Sequence, residues 1–330
     1  MPKYLDGSRI IGSGHYCPEK ILSNFDLEKI VETSDEWIRT RTGIRERRIA
    51  ENHMASSDLA LEASRLALQD AGLEPAELDA IILGTVTPDM QFPATACFLQ
   101  DRLGAGNAVA FDLSAACSGF IYGLNTAHGL IASGQMRRVL VVGVEVLSKF
   151  LDWTDRATCV LFGDGAGAVV METCEYGQGV LGTYMKSDGS LAELLWIPVG
   201  GSREPISEKT FVERGHYIKM KGDGVFKYAV RAMVEAAQIV LERGQLTIAD
   251  VDLLIPHQAN IRIIDSVVDR LNIPEEKVVI NIDRFGNTSS ATIPIAFDEV
   301  RRSGRVKAGD IILFVAFGGG FTWGSVLFRM

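Results

Sequence analysis

Short apolar runs bounded by Gly, Asp or Asn alternate along this chain with stretches whose apolar positions recur at helical spacing. The first pattern is that of strands buried on both faces and the second that of amphipathic helices. Their alternation predicts an α/β fold with a mostly parallel sheet covered by helices. The order of elements then repeats. A helical stretch ending LALQDAG (Leu66 to Gly72), an acidic turn and the strand DAIILG from Asp79 are matched by IVLERG (Ile239 to Gly244), an acidic turn and DLLIPH from Asp252, an offset of 252 − 79 = 173. The strand VLVVGVE from Val139 is matched by IILFVAF from Ile311, an offset of 311 − 139 = 172. This near-constant spacing predicts two similar βαβ-rich halves packed as a pseudo-dimer with shared helices. The first half is residues 1–175 and the second 176–330. The second opens with a poorly periodic stretch, about 176–219, rich in Gly, Ser and charge and read as an inserted loop region with a hairpin.

A chain of 330 residues, 47% hydrophobic and 23% charged, can bury a large core and is not a disordered segment. Its formal charge of −9 argues against nucleic acid as a partner, since such binding leans on phosphate neutralisation, and any anionic partner must meet a local basic patch. The five cysteines (Cys17, Cys97, Cys117, Cys159, Cys174) are scattered with no C-x-x-C pair, so neither a disulfide framework nor a metal site is expected, and a reducing cytoplasm fits. The N-terminus has no leader pattern and no apolar run is long enough to span a bilayer, so a soluble protein without membrane attachment is expected.

Four segments could carry chemistry. AFDLSAACSGF (Ala110 to Phe120) reads as strand, tight turn and helix, with Phe120, Ile121, Leu124 and Leu130 at helical spacing, which puts Cys117 at a helix N-terminus. There the dipole and free N–H groups favour a thiolate, although a lone cysteine among small residues is more often an apolar filler. In IPHQANIRI, His257 follows an apolar strand, where open α/β sheets place ligand-handling residues, at the repeat position of Gly84. DRFGNTSSATIP (Asp283 to Pro294) stands opposite the Cys117 turn by the offset, 117 + 173 = 290, and carries Asn287, whose Gly-Asn-Thr-Ser setting is also ordinary cap chemistry. FGGGFTWGS (Phe317 to Ser325) lets backbone N–H groups approach a bound oxygen. A strand-like pattern follows its glycines, which excludes a phosphate loop. GDGAGA at Gly163 fails the same test and is read as a structural turn.

Together, from TSDEWIRTRTGIRERR (Thr33 to Arg48) to the terminal glycines, these segments resemble the 3-oxoacyl-[acyl-carrier-protein] synthase III family, condensing enzymes that start type II fatty acid synthesis. The resemblance implies the thiolase fold, duplicated βαβαβ halves in a five-layered αβαβα architecture. It implies an acyltransferase in which Cys117 is the nucleophile, His257 and Asn287 complete a triad, and the N–H groups of Cys117 and Gly319 form an oxyanion hole. The substrates would be an acyl-CoA primer, acetyl-CoA by expectation, and malonyl-[acyl-carrier-protein], with no cofactor and no metal. Trp37 and Arg156 would stack the CoA adenine, Arg41 would meet phosphate, and Gly222 and Asn260 would lie along the pantetheine arm. Asp223, after Gly222, departs from the asparagine common in relatives. Lys227, Arg262 and Arg270 would receive the acidic carrier protein. Phe92 matches a residue that crosses a homodimer interface to close the acyl pocket, favouring short primers.

A degradative thiolase would need a second cysteine near the terminal glycines, and an elongating synthase a second histidine in place of Asn287; this sequence has neither. A relative that primes polyketide synthesis keeps the same triad. From other classes, a Cys/His/Asn hydrolase and a non-catalytic CoA-binding homologue remain open.

Overall fold

The structure is a computed structural model that describes residues 7–330; the first six residues, part of the segment read for a leader, lie outside it. Among the described residues nine strands form the main sheet: β1 (Gly7–Tyr16), β2 (Ala80–Gly84), β3 (Val109–Leu113), β4 (Arg138–Val146), β5 (Asp164–Cys174), β6 (Gly179–Ser187), β7 (Leu253–Pro256), β8 (Ile311–Gly318) and β9 (Thr322–Arg329). Their order is β7-β8-β9-β6-β1-β5-β4-β2-β3. The two groups of strands join through a single parallel pairing, Ser8 with Gly179. The sheet is mixed rather than mostly parallel. β2 runs parallel to β3 and β4, and β7 to β8, while β5 and β9 run antiparallel to the strands before them. The three residues between β8 and β9 are too short for a crossover, which leaves only the antiparallel return.

Seven longer helices pack on this sheet: α1 (Asp35–Thr42), α2 (Ser56–Ala71), α3 (Thr95–Leu103), α4 (Gly119–Ala132), α5 (Gly222–Arg243), α6 (Ile261–Leu271) and α7 (Thr292–Arg302). The apolar runs are continuous because alternate residues enter different cores. Ile312, Phe314 and Ala316 of β8 face an inner core with Phe120 and Ile121 of α4 and Phe297 of α7, whereas Leu313, Val315 and Phe317 face α5 and α6. On β2, Ala80 and Ile82 point inward while Ile81 and Leu83 meet α2 and α3. One inner core surrounds the central helices and two outer cores lie under the flanking ones, giving helices, sheet, helices, sheet and helices, the five-layered thiolase architecture.

The repeat is tighter in three dimensions than in the text of the sequence. Ala80 pairs with Val139 and Leu253 with Ile312, so both strand offsets are 173 (253 − 80 and 312 − 139). Two segments depart from the sequence reading. The stretch 176–219 contains β6, a full strand of the main sheet, besides the short pair Leu195–Trp196 with Lys219–Met220; Gly182, Lys186 and Ser187 blur its alternation. GDGAGA is not a turn but the start of β5. A Cβ on Gly167 would stand 2.7 Å from that of Pro294, so the glycines that erase the strand pattern are what admit α7.

Candidate active site

β3 ends at Leu113, a one-turn helix covers Ala116–Ser118, and α4 starts at Gly119. Ala116 at the head of that turn has φ +47°. Its repeat equivalent, 116 + 173 = 289, is Ser289, with φ +50° and its own one-turn helix before α7. Left-handed backbone at a non-glycine residue costs about 1 kcal/mol or more and persists where the surroundings enforce it. Here it turns the chain sharply from strand end to helix and aims Cys117 inward, 7% exposed. A Cβ on Gly318 would lie 2.6 Å from the Cys117 nitrogen, so only glycine lets the end of β8 rest on this turn. Burial pushes the Cys117 thiol up to about 12, with the Ser289 hydroxyl and the residue's own N–H pulling down and Glu145 pushing up.

His257 caps β7, its N–H bonded to the Val315 carbonyl at 2.8 Å and its ring 1% exposed. Burial drives its pKa down to about 3, so the imidazole is neutral. Its Nδ1 lies 2.7 Å from the Thr292 hydroxyl, which also has the Ser289 carbonyl at 3.1 Å; when the hydroxyl donates to the nearer Nδ1, the ring proton sits on Nε2. Asn287 Oδ1 accepts the Ser289 N–H at 2.8 Å, which orients the amide and leaves its NH₂ as donor. Cys117, His257, Asn287 and Gly318 line one tunnel of about 370 Å³. A second cavity of about 370 Å³ meets Cys117 and is walled by Val86, Leu147, Phe162, Leu195, Trp196 and Ile218, with Gly319 at its rim. Cys117 stands where the two meet.

The tunnel is also lined by Trp37, Arg41, Gly222, Asp223, Asn260 and Arg262. The Arg156 and Arg41 guanidiniums lie 4.7 and 4.9 Å from the Trp37 ring centre, so Arg156 rests on the indole itself, steadied by a 3.0 Å bond to the Glu32 carbonyl. Asn260 caps α6 through its Oδ1, leaving its NH₂ unused by that cap. The run of arginines divides. Arg47 is fully buried and ties the Leu22 and Val160 carbonyls and Asn24 together, a structural part, while Arg41 faces the tunnel. Lys227 and Arg270 flank a groove between α5 and α6, and exposed Arg262 lies over Phe226 beside it. Phe92 is 86% exposed and is absent from the walls of both cavities at Cys117. Among the described residues no group of three or more His, Cys, Asp or Glu is placed to hold a metal ion.

Three residues escaped the sequence reading. Thr292 sits against His257 Nδ1, Ser289 lines the cavity at Cys117, and Glu145 is a fully buried side chain bonded to Ser289. Glu145 left a signal, one acid inside the otherwise apolar run VLVVGVEVL. Thr292 and Ser289 left none beyond their nearness to Asn287.

Two family models match the chain: 3-oxoacyl-[acyl-carrier-protein (ACP)] synthase III over residues 111–189, and the C-terminal domain of the same family over residues 241–330. The beta-ketoacyl-[acyl-carrier-protein] synthase III of Caldanaerobacter subterraneus subsp. tengcongensis is 57% identical over 320 residues, 97% of each chain. The crystal structure of 3-oxoacyl-[acyl-carrier-protein] synthase III from Aquifex aeolicus VF5 superposes with a TM-score of 0.90 at 52% identity, covering 98% of this chain and 100% of that one. The priming beta-ketosynthase of the R1128 polyketide pathway superposes at 0.93 with 38% identity, covering 100% and 98%.

Proposed function

From its place in the 3-oxoacyl-[acyl-carrier-protein] synthase III family, to which the chain belongs, we propose that Cys117 accepts an acyl group from acyl-CoA and that His257 and Asn287 drive decarboxylation of malonyl-[acyl-carrier-protein]. The chain is an acyltransferase that initiates fatty acid synthesis by condensation. The observation that carries the residue roles is the shared tunnel, in which thiol, neutral imidazole and oriented amide face one space reached past Trp37 and Arg41.

In the first half-reaction the Cys117 sulfur attacks the thioester carbonyl, the oxyanion rests on the Cys117 and Gly319 N–H groups, and CoA leaves. The acyl chain lies in the cavity of Val86, Leu147, Phe162 and Leu195. In the second, the malonyl carboxylate departs as CO₂ and the thioester enolate is held by Nε2–H of His257 and the NH₂ of Asn287. A buried, uncharged pair suits this task, because donors that never ionise keep their bonds at every stage. The enolate carbon then attacks acyl-Cys117 to give 3-oxoacyl-[acyl-carrier-protein]. CoA thioesters and malonyl-carrier protein are substrates, and no cofactor enters. Replacing Thr292 by Val keeps its shape but removes the partner of Nδ1; decarboxylation measured by CO₂ release is expected to fall about 10-fold to 100-fold with acylation nearly intact.

Lys227, Arg262 and Arg270 offer the carrier protein a cationic face on a chain of net charge −9. CoA adenine would enter between Trp37 and Arg156 by lifting the guanidinium off the ring. A cytoplasmic homodimer agrees with an unpaired edge at β3, where Val109 is 53% exposed, and with the outward Phe92. Among the described residues no helix is long and apolar enough to cross a membrane. In a dimer, Phe92 would fill part of the acyl cavity of the other copy and restrict primers to acetyl. Phe92→Ala is then expected to raise kcat/KM for four-carbon acyl-CoA over acetyl-CoA by about 10-fold or more, on the usual worth of a methylene or two in an apolar pocket. The likeness to a priming ketosynthase of polyketide synthesis keeps a longer or branched primer as the second reading. Condensation with malonyl-carrier protein across a panel of acyl-CoA primers tests both, and absence of ketoacyl product with every primer overturns the function.

A further inference from the structure

We propose that a cavity behind the glycine turn between β8 and β9, on the side away from the Cys117 turn, is an effector site for a small monocarboxylate with a single-ring or short branched apolar body. It lies among the end of β6, that turn and α5, and holds about 190 Å³. An apolar cavity of about 150 Å³ admits benzene, so a single ring fits.

Aromatic rings make most of its wall. Phe317, Phe321 and Trp323 are 5%, 0% and 8% exposed, and Tyr228, 39% exposed, stands at the opening. Phe317 and Phe321 meet edge-on at 4.6 Å and Tyr228 leans on Phe321 at 6.0 Å, so the apolar surface is preset. Tyr228, Arg231, Ala232 and Glu235 reach the cavity from α5 at i, i+3, i+4 and i+7, one stripe of that helix. The acids at the rim are already engaged. Glu235 accepts from the Tyr184 hydroxyl at 2.9 Å and from Lys186 at 3.1 Å, and Asp188 accepts from the Ser190 N–H and hydroxyl at 3.0 and 2.6 Å. Two donors are left over. Arg231 makes no hydrogen bond or salt bridge to any described residue, and the buried indole N–H of Trp323 has no acceptor. A carboxylate is the group both lack, and the rings below ask for an apolar body. A dianionic phosphate suits the rim less, since Glu235 and Asp188 would repel its second charge.

One residue links these walls to the nucleophile turn. Phe321 and Trp323 line the cavity, and Thr322 between them faces the other way. The Thr322 hydroxyl donates to the Ala115 carbonyl at 2.7 Å and its carbonyl accepts the Ser118 hydroxyl at 3.1 Å, so it grips the chain on both sides of Cys117. Phe317 lines both this cavity and the Cys117 tunnel. The Phe321 backbone is bonded to that of Asp188 in both directions at 2.8 Å, which joins the end of β6 to the same turn. A ligand that fixes Phe321 and Trp323 fixes the seat of Cys117, and its binding is thereby linked to events there.

Replacing the four tryptophans with 5-fluorotryptophan gives each a fluorine resonance, and Trp323→Phe identifies that of Trp323. Titration with phenylacetate is expected to move the Trp323 resonance saturably and to leave that of Trp37, in the tunnel, in place. Arg231 is exposed and has no part in the catalysis set out above, so Arg231→Ala should fold and acetylate normally while binding phenylacetate about 10-fold or more weakly. Neutral 2-phenylethanol should bind more weakly by a similar factor. Saturating phenylacetate should change the rate of Cys117 acetylation about 5-fold or more in the wild type, and far less in Arg231→Ala at the same concentration. An unmoved Trp323 resonance, a shift of Trp37 in its place, equal binding by Arg231→Ala or of 2-phenylethanol, or an unchanged acetylation rate at saturation would each overturn the effector site. A wild type that takes up no acetyl group fails the reading of Cys117 instead, and the fluorine titration still decides whether the cavity binds its ligand.

Discussion

Cys117→Ser is expected to leave no acyl adduct after incubation with acetyl-CoA and to lower condensation by about 10⁴-fold, the scale seen when a covalent nucleophile is removed. Serine fits the turn, since it is nearly the size of cysteine and Ser290 stands at the equivalent position of the repeat, so the fold should survive and the loss reports on chemistry. A hydroxyl is far less acidic than a thiol, and in a pocket that already disfavours ionised sulfur it will not form an alkoxide. Intact-mass analysis decides the point: a serine variant that still takes up acetate at the wild-type rate sinks the assignment. Steady release of free acid by the wild type without malonyl-carrier protein would instead mark a hydrolase.

His257→Ala and Asn287→Ala are each expected to cut malonyl decarboxylation by about 10² to 10³, the usual loss for one preorganised donor to a developing oxyanion, while acetylation of Cys117 continues. The direction of the His257 shift adds a second signature. With its pKa lowered to about 3, the ring is neutral at any pH above that and becomes charged only below it. Decarboxylation should therefore show no inflection between about pH 5 and 8, where an unperturbed histidine would titrate. A fall on the acid side near pH 6.5 that vanishes in His257→Ala would contradict a neutral donor.

The 173-residue repeat was legible in the sequence because strands buried on both faces leave unbroken apolar runs that can be aligned, and it led to the places of His257 and Asn287. Cys117 was legible as a helix start, but its burial was not, since residues distant in the chain that cover it leave no local trace. β6 and the start of β5 were hidden by glycines kept for close packing, such as Gly167 against Pro294. Glu145 is an acid out of place in an apolar run, but the Ser289 hydroxyl that bonds it stands 144 positions away, and no periodicity connects them.

Ala116 and Ser289 stand at the same station of the two halves, with φ of +47° and +50°. One way of bending a chain has been used twice, and the copies differ in what they carry: alanine beside cysteine in the first, serine beside serine in the second. Duplication here did not yield two identical centres. On the roles proposed for these residues, one copy presents the attacking sulfur and the other the asparagine that meets the second substrate.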